Sequence, residues 1–164
     1  MRYHFIDKIR RIDIGKKIVT VKNITLTEDF FESHFVGFPV MPGALIIEAM
    51  AQSCGALIEI SANYQVFSIL LMVEKMKFKK MVHPGDQMII TATVISQHPE
   101  SALLDTKAEV DGKIVASGSL MVGIVSAANG NPQFLKAIQT LEAYFEFMLR
   151  DAEIVPQSAT HETK

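Results

Sequence analysis

The first half of the chain passes through strand-like, loop-like and helix-like patterns of hydrophobic and polar residues. Residues 5–13 and 17–24 lean towards β-strands, and Gly15 between them suits a hairpin turn. Residues 29–43 are rich in Phe, Gly and Pro, a composition typical of a loop with restricted backbone freedom. Residues 44–60 are good helix formers and are apolar on almost every side, which predicts a helix buried on most of its faces.

The second half of the chain predicts an antiparallel sheet. Strand-like segments separated by turn residues follow one another at residues 66–81, 87–97, 102–110 and 113–125. Asp111-Gly112 is a strong signal for a two-residue hairpin between the last two segments. A buried helix followed by such a meander indicates an α+β fold, in which an antiparallel sheet wraps around the long central helix.

An extra amphipathic helix is predicted near the C-terminus. Asn129-Gly130-Asn131 interrupts the pattern, and Pro132 is well placed to begin a helix. Apolar residues then recur at the helical period, at Phe134, Leu135, Ile138, Leu141, Tyr144, Phe145, Met148 and Leu149. This helix should pack on the domain or on a neighbouring subunit, and the polar residues 155–164 are expected to be disordered. We therefore predict one domain at residues 1–127, and a helical extension with a polar tail at residues 128–164.

Composition narrows the class of protein. The chain has 164 residues, of which 49% are hydrophobic and 21% charged, which suits one sizeable core. The net charge of -2 gives no global basic field that would attract nucleic acid. The single cysteine, Cys54, cannot form an intramolecular disulfide, which fits a reducing compartment, and the N-terminus contains no signal peptide pattern. Outside the central helix no apolar stretch approaches the roughly 20 residues of a membrane span, so we expect a cytoplasmic protein.

The loop and the start of the central helix contain the residues that could perform chemistry. His34 lies in the rigid loop, and histidine can take a proton at physiological pH. Glu48 lies on an otherwise apolar helix, where an unpaired carboxylate is costly, so it needs a partner or a function. Gln52 lies one turn later and can hold the Glu48 carboxyl group through a hydrogen bond. His34 and Glu48 are therefore a candidate acid-base pair.

Gly43 stands where the loop becomes the helix. Its backbone N–H lies at the positive end of the helix dipole, and the missing side chain lets a carbonyl group approach closely. This arrangement is a candidate oxyanion hole. The three groups together suit elimination of water from a 3-hydroxyacyl thioester. The Gly43 N–H would polarise the carbonyl, His34 would take the α-proton, and Glu48 would assist departure of the hydroxyl group.

The same segment resembles the FabZ-type β-hydroxyacyl-acyl carrier protein dehydratases. The family motif, roughly H-F-P-G-x-P-x-M-P-G-x-L-x-x-E-A-x-A-Q, is matched at His34, Phe35, Gly37, Pro39, Met41, Pro42, Gly43, Leu45, Glu48, Ala49, Ala51 and Gln52. Residues 77–87 and 110–116 are also similar to the family, and the resemblance covers about residues 3–125. Three features depart from the pattern: Val36 replaces the usual proline, the usual start is reduced to Tyr3-His4-Phe5, and the helix after Pro132 has no clear counterpart.

The resemblance implies a hot-dog fold and conversion of (3R)-3-hydroxyacyl-acyl carrier protein to the trans-2-enoyl product, in fatty acid or related acyl-chain biosynthesis. It implies a homodimer, often assembled into a trimer of dimers, with His34 and Glu48 supplied to each active site by different subunits. Glu48, in place of aspartate, resembles the branch that dehydrates without also isomerising the double bond. No cofactor is expected, because phosphopantetheine arrives on the carrier protein.

Other residues have a candidate role beside a structural alternative. Phe35, Phe38 and Met41 are candidates for an acyl tunnel, and ordinary core packing is the alternative. Lys77, Lys79 and Lys80 are candidates for docking the acidic acyl carrier protein, or they form a solvated strand face. The histidines and carboxylates do not cluster at ligand spacing, so no metal site is expected.

Two rival functions remain open. A hot-dog thioesterase would use a carboxylate to activate water against the same thioester, but the spacing from His34 to Glu48 resembles that of dehydratases. A non-catalytic subunit that binds the acyl carrier would keep the fold only for assembly, and intact His34 and Glu48 argue against it.

Overall fold

One helix lies at the centre of the fold, and a sheet wraps around it. The structure is a computed structural model that describes residues 3–126 and 132–157. A one-turn 3-10 helix at Asp29–Glu32 precedes the loop that leads to the central helix. In chain order the main elements are β1 (Lys8–Asp13), β2 (Lys17–Asn23), α1 (Gly43–Ser61), β3 (Val66–Phe78), β4 (Gln87–His98), β5 (Ser101–Val110), β6 (Lys113–Ser126), α2 (Pro132–Leu149) and β7 (Glu153–Val155).

The described strands form a 7-stranded sheet in the order β3-β6-β5-β4-β2-β1-β7. Neighbouring strands are antiparallel except β7, which runs parallel to β1. Positive φ angles at Gly15, Asp111 and Gly112 close the tight turns of the β1–β2 and β5–β6 hairpins, at the positions that the sequence indicated. The predicted antiparallel sheet around a long helix is therefore confirmed, and β3 is the long strand at one edge.

The apolar residues of α1 fill the inside of the curved sheet. Met50, Cys54 and Leu57 are fully buried, together with Ile90 and Leu104 from the strands. Burial raises the pKa of the Cys54 thiol, which fits a packing residue rather than a nucleophile. By length and composition α1 could cross a membrane, but 61% of that window is buried inside the domain, as in the core helix of a soluble protein.

The C-terminal helix packs on the domain, which is one of the two arrangements predicted from the sequence. α2 contacts β1 and β3, and its Ile138, Phe145 and Met148 are buried. The Phe134 and Leu135 side chains and the proposed boundary at residues 127 and 128 lie outside the described residues.

The prediction that residues 155–164 are disordered is wrong for its first residue, Val155. Val155 belongs to β7, where Ile14 N–H donates to the Val155 carbonyl oxygen at 2.9 Å. The Arg11 guanidinium also contacts the Glu153 carboxylate at 2.6 Å. Three residues that pair with an existing strand need no hydrophobic period of their own, so the pattern gave no signal for β7. The predicted tail at residues 158–164 lies outside the described part of the chain.

Candidate active site

His34 is held in a tight turn of the loop between the 3-10 helix and α1. Its backbone N–H donates to the Phe30 carbonyl at 3.0 Å, and its carbonyl accepts from Val40 N–H at 3.0 Å. The His34 Nδ1 atom donates to the Val40 carbonyl oxygen at 2.8 Å. A carbonyl oxygen can only accept, so Nδ1 carries the proton and the other ring nitrogen, Nε2, is left as the base of the neutral ring.

Glu48 is half-buried on the first turns of α1, and Gln52 fixes its carboxyl group. Gln52 Nε2 donates to Glu48 Oε1 at 2.9 Å and to the Tyr3 carbonyl at 3.1 Å, while Gln52 Oε1 accepts from Phe5 N–H at 2.8 Å. Because the Phe5 amide occupies the oxygen end of Gln52, the NH₂ end must face Glu48. The N-terminal segment thus orients Gln52, and Gln52 orients the carboxyl group, as the spacing predicted.

Gly43 is the first residue of α1, and Phe78 lies against it. Leu45 and Ile46 N–H both donate to the Pro42 carbonyl, whereas the Gly43 N–H has no acceptor among the described residues. A Cβ atom at Gly43 would lie 3.0 Å from the Phe78 ring. Glycine therefore lets the Phe78 ring lie close to the start of α1. The free Gly43 N–H is available at the positive end of the helix. Phe78 is a neighbour of the site that sequence reasoning missed, although it lies between two of the singled-out lysines.

A cavity of about 370 Å³ opens beside Glu48. One face of α1 forms part of its wall, with Glu48, Gln52, Gly55 and Glu59, and the other described lining residues are mainly apolar. From α2, the lining includes Leu141, Tyr144 and Phe145. Burial, with the Asp7 charge nearby, raises the pKa of the Tyr144 phenol to about 12, and this hydroxyl donates to the Ile6 carbonyl at 2.7 Å. The C-terminal helix, whose role the sequence left open, is thus part of the cavity wall.

Glu59 is a carboxyl group that sequence reasoning missed. It is 4% exposed, and burial raises its pKa to about 7 although two hydrogen bonds from Ser68 oppose the shift. Its signal was present in the sequence, because Glu48, Gln52, Gly55 and Glu59 recur at helical spacing on one face of α1.

Several predicted site residues do not line the cavity beside Glu48 in the single chain. His34 is not among the described residues that line the cavity, nor are Phe35, Phe38 and Met41. Phe35 and Phe38 are 55% and 53% exposed on the loop, whereas Met41 is 2% exposed and packs in the core. In one subunit Met41 is therefore a core residue, which is the alternative that the sequence left open.

The predicted docking lysines lie together on the surface. Lys77 is near the end of β3, and Lys79 and Lys80 follow that strand, where both backbone N–H groups donate to the Val115 carbonyl. All three side chains are exposed, and none forms an ion pair with any residue in ranges 3–126 and 132–157. Within the same ranges no group of three or more His, Cys, Asp or Glu side chains could hold a metal ion.

Comparison with known proteins decides the family. The sequence pattern of the FabA-like domain matches residues 1–119. The 3-hydroxyacyl-acyl-carrier-protein dehydratase FabZ of Streptococcus uberis is 49% identical over 111 residues, which are 66% of this chain and 79% of the relative. The chain belongs to the FabZ family. A FabZ of Thiobacillus denitrificans is 42% identical over 126 residues, covering 73% of this chain and 87% of the relative.

Solved structures confirm the hot-dog fold of this FabZ-family chain. The dehydratase heterocomplex ApeI:P of Xenorhabdus doucetiae aligns with a TM-score of 0.63 at 14% identity, covering 85% of this chain and 90% of that one. The Streptococcus mutans protein smu.793, bound to acetyl CoA, aligns with a TM-score of 0.60 at 16% identity, covering 77% and 94%. The FabA-like match ends at residue 119, so α2 lies beyond the region that defines the family.

Proposed function

We propose that this FabZ-family chain dehydrates (3R)-3-hydroxyacyl-acyl carrier protein to trans-2-enoyl-acyl carrier protein in fatty acid biosynthesis. The observation that supports it best is a carboxyl group, fixed by Gln52 at 2.9 Å, at a largely apolar cavity along one face of α1. The candidate base, His34, lies on the loop that leads into α1, and the candidate oxyanion donor, the Gly43 N–H, is at the first residue of that helix. Relatives over most of the chain are named as this dehydratase.

Each step of the elimination has a group suited to it. The Gly43 N–H binds the thioester carbonyl oxygen, which makes the α-proton acidic, and His34 Nε2 accepts that proton. The electron pair left on the α-carbon forms the double bond as the carbon–oxygen bond breaks. Glu48 gives its proton to the departing hydroxyl group, which leaves as water. Proton transfer from the His34 imidazolium to the Glu48 carboxylate then restores the starting state.

A homodimer completes the site in this proposal. The outer edge of β3 has no neighbouring strand in the described residues, and Ile69, Leu71 and Val73 are 43%, 60% and 40% exposed. A long apolar edge strand is a surface on which a second copy can pair. Because His34 does not line the cavity of its own chain, we assign the catalytic pair of each site to two subunits. A trimer of such dimers is compatible with this assignment.

The acyl carrier protein is the proposed partner, and Lys77, Lys79 and Lys80 are its proposed docking residues. The three exposed lysines lie at the end of β3 and just after it, on either side of Phe78 in the chain, and the Phe78 ring lies against Gly43. An acidic carrier bound there would present its phosphopantetheine arm close to the helix start, with electrostatic attraction aiding encounter. We further propose a cytoplasmic location and no cofactor held by the protein itself. Phe35 and Phe38 are proposed to line the acyl tunnel across the dimer interface.

The reaction is tested most simply in the reverse direction. Incubating the protein with a crotonyl thioester of acyl carrier protein should give the 3-hydroxybutyryl thioester without release of thiol. Mass spectrometry separates the hydrated product from the substrate, and a thiol reagent reports hydrolysis. Thiol release without hydration would support a thioesterase, and no change at all would support a non-catalytic binding subunit.

A further inference from the structure

A second carboxyl group lies further along the cavity, and the mechanism above does not use it. Glu48 and Glu59 both line the cavity from the same face of α1. They are eleven residues apart, which corresponds to about 16 Å along the helix. The cavity therefore extends from the reacting end, at Glu48, to a distal end that contains Glu59.

The surroundings of Glu59 form a built polar site. Glu59 Oε1 accepts from Ser68 N–H at 2.8 Å and from Ser68 Oγ at 2.5 Å. A Cβ atom at Gly55 would lie 2.6 Å from Ser68 Oγ, so only glycine lets the serine approach the helix this closely. Glu59 is 4% exposed, yet among the described residues only one of its two carboxyl oxygens, Oε1, accepts a hydrogen bond.

The other oxygen, Oε2, has no hydrogen-bond partner among the described residues. In the same part of the chain no fully enclosed side-chain oxygen lacks a partner, so Oε2 must reach open space. The cavity is the open space that Glu59 lines. A clamp between α1 and β3 would explain the contacts of Oε1, but it would not require a free oxygen facing the cavity.

Resting on the proposed dehydratase function, we propose that the cavity accepts acyl chains that end in a hydroxyl group, which binds Glu59 Oε2. A hydroxyl group both donates and accepts a hydrogen bond. It can donate to an ionised Glu59 and can accept from a protonated one. A methyl end would leave a desolvated carboxyl oxygen unpaired, which costs binding free energy.

The raised pKa of Glu59, about 7, supports this choice of ligand. Both protonation states of Glu59 are populated near neutral pH, and a hydroxyl group suits both of them. An ammonium group can only donate, and it would also bring a second charge into a desolvated cavity.

The distance between the two carboxyl groups sets the length of the preferred chain. An extended chain with carbon–carbon bonds of about 1.5 Å advances about 1.3 Å per carbon atom. A separation of about 16 Å therefore corresponds to about 12 carbon atoms between the reacting end and the hydroxyl group.

The test compares pairs of trans-2-enoyl thioesters of acyl carrier protein. Within each pair the chains have equal length and end in either a hydroxyl or a methyl group, over roughly 8 to 14 carbon atoms. We expect kcat/KM for hydration to favour the hydroxyl member by about 10- to 100-fold at the matching length. Crotonyl thioester, which is too short to reach Glu59, reports the dehydratase activity separately.

Variants of Glu59 link the preference to this side chain. Glu59→Leu should lose the preference for the hydroxyl member, whereas Glu59→Gln, which keeps a polar group of the same shape, should retain most of it. The exposed Glu100 provides the matched control. Glu100→Leu should leave kcat/KM unchanged for both the hydroxyl and the methyl member of each pair. Glu100→Leu should hydrate crotonyl thioester at a rate close to that of the unaltered protein. For the Glu59 variants the compared quantity is the ratio of kcat/KM between the hydroxyl and methyl members of each pair, in which a general change in rate cancels.

Two results would overturn the proposal. Equal kcat/KM for both members of every pair in the unaltered protein, with crotonyl hydration intact, would refute the hydroxyl site and leave the dehydratase function standing. Absence of hydration with every thioester would refute the dehydratase function and the hydroxyl site together. Because the first comparison uses only the unaltered protein, it stays decisive even where a variant fails to fold.

Discussion

His34→Ala should lower kcat for hydration of crotonyl thioester by about 10²- to 10⁴-fold, the usual contribution of a positioned acid or base. The Val40 carbonyl accepts from His34 Nδ1 at 2.8 Å and leaves Nε2 as the base, and alanine offers neither nitrogen. The loss should appear mainly in kcat, because the imidazole acts on the reacting proton rather than on the acyl chain. Steady-state kinetics over a range of substrate concentrations measures this difference.

The matched control for this substitution is His98→Ala. His98 is exposed at the end of β4, far along the chain from the loop, and its loss should change kcat less than twofold. Thermal unfolding should confirm that His34→Ala remains folded. A folded His34→Ala protein that keeps full kcat would remove His34 from the mechanism.

Glu48→Gln should lower kcat by a similar factor, about 10²- to 10⁴-fold. Glutamine keeps the shape of the side chain, and its carbonyl oxygen can still accept the 2.9 Å hydrogen bond from Gln52 Nε2. The variant therefore removes the acidic proton and little else. In the hydration direction the attacking water would then lack a group that takes its proton, so the measured quantity is again kcat with saturating crotonyl thioester.

Glu100→Gln is the corresponding control, since this side chain is exposed in the turn between β4 and β5. It should leave kcat unchanged. If Glu48→Gln raised KM but preserved kcat, Glu48 would be a binding residue and a different proton donor would have to be sought.

The fold could largely be predicted from sequence because hydrophobic residues recur with a clear period in most of its helices and strands. The helix expected at residues 44–60 is observed at Gly43–Ser61. A long apolar segment of good helix formers that packs against a sheet has few alternatives to a buried helix. The first strand begins at Lys8 rather than at residue 5, and β3 ends at Phe78 rather than at residue 81. Apolar residues such as Phe5 and Val82 are buried beside the sheet without belonging to a strand, so hydrophobicity alone overestimates strand length.

The site could be predicted only in part. The link between Glu48 and Gln52 follows from helical spacing, but the contact of Phe5 with Gln52 joins residues 47 positions apart and has no local signal. Residues that are close in sequence also differ in exposure, because Met41 is buried whereas Phe35 and Phe38 are on the surface. Such differences depend on which face of a loop meets the core, which composition does not specify.

Pairing between subunits is the central claim, and mixed dimers test it most directly. His34→Ala and Glu48→Gln should each be about 10²- to 10⁴-fold less active alone, but co-expression at equal levels should restore about one quarter of the activity of the unaltered protein. Half of the dimers then contain both variants, and each of these has one site with His34 and Glu48 both intact. Mixtures as inactive as the separate variants, despite confirmed exchange of subunits, would contradict the shared site.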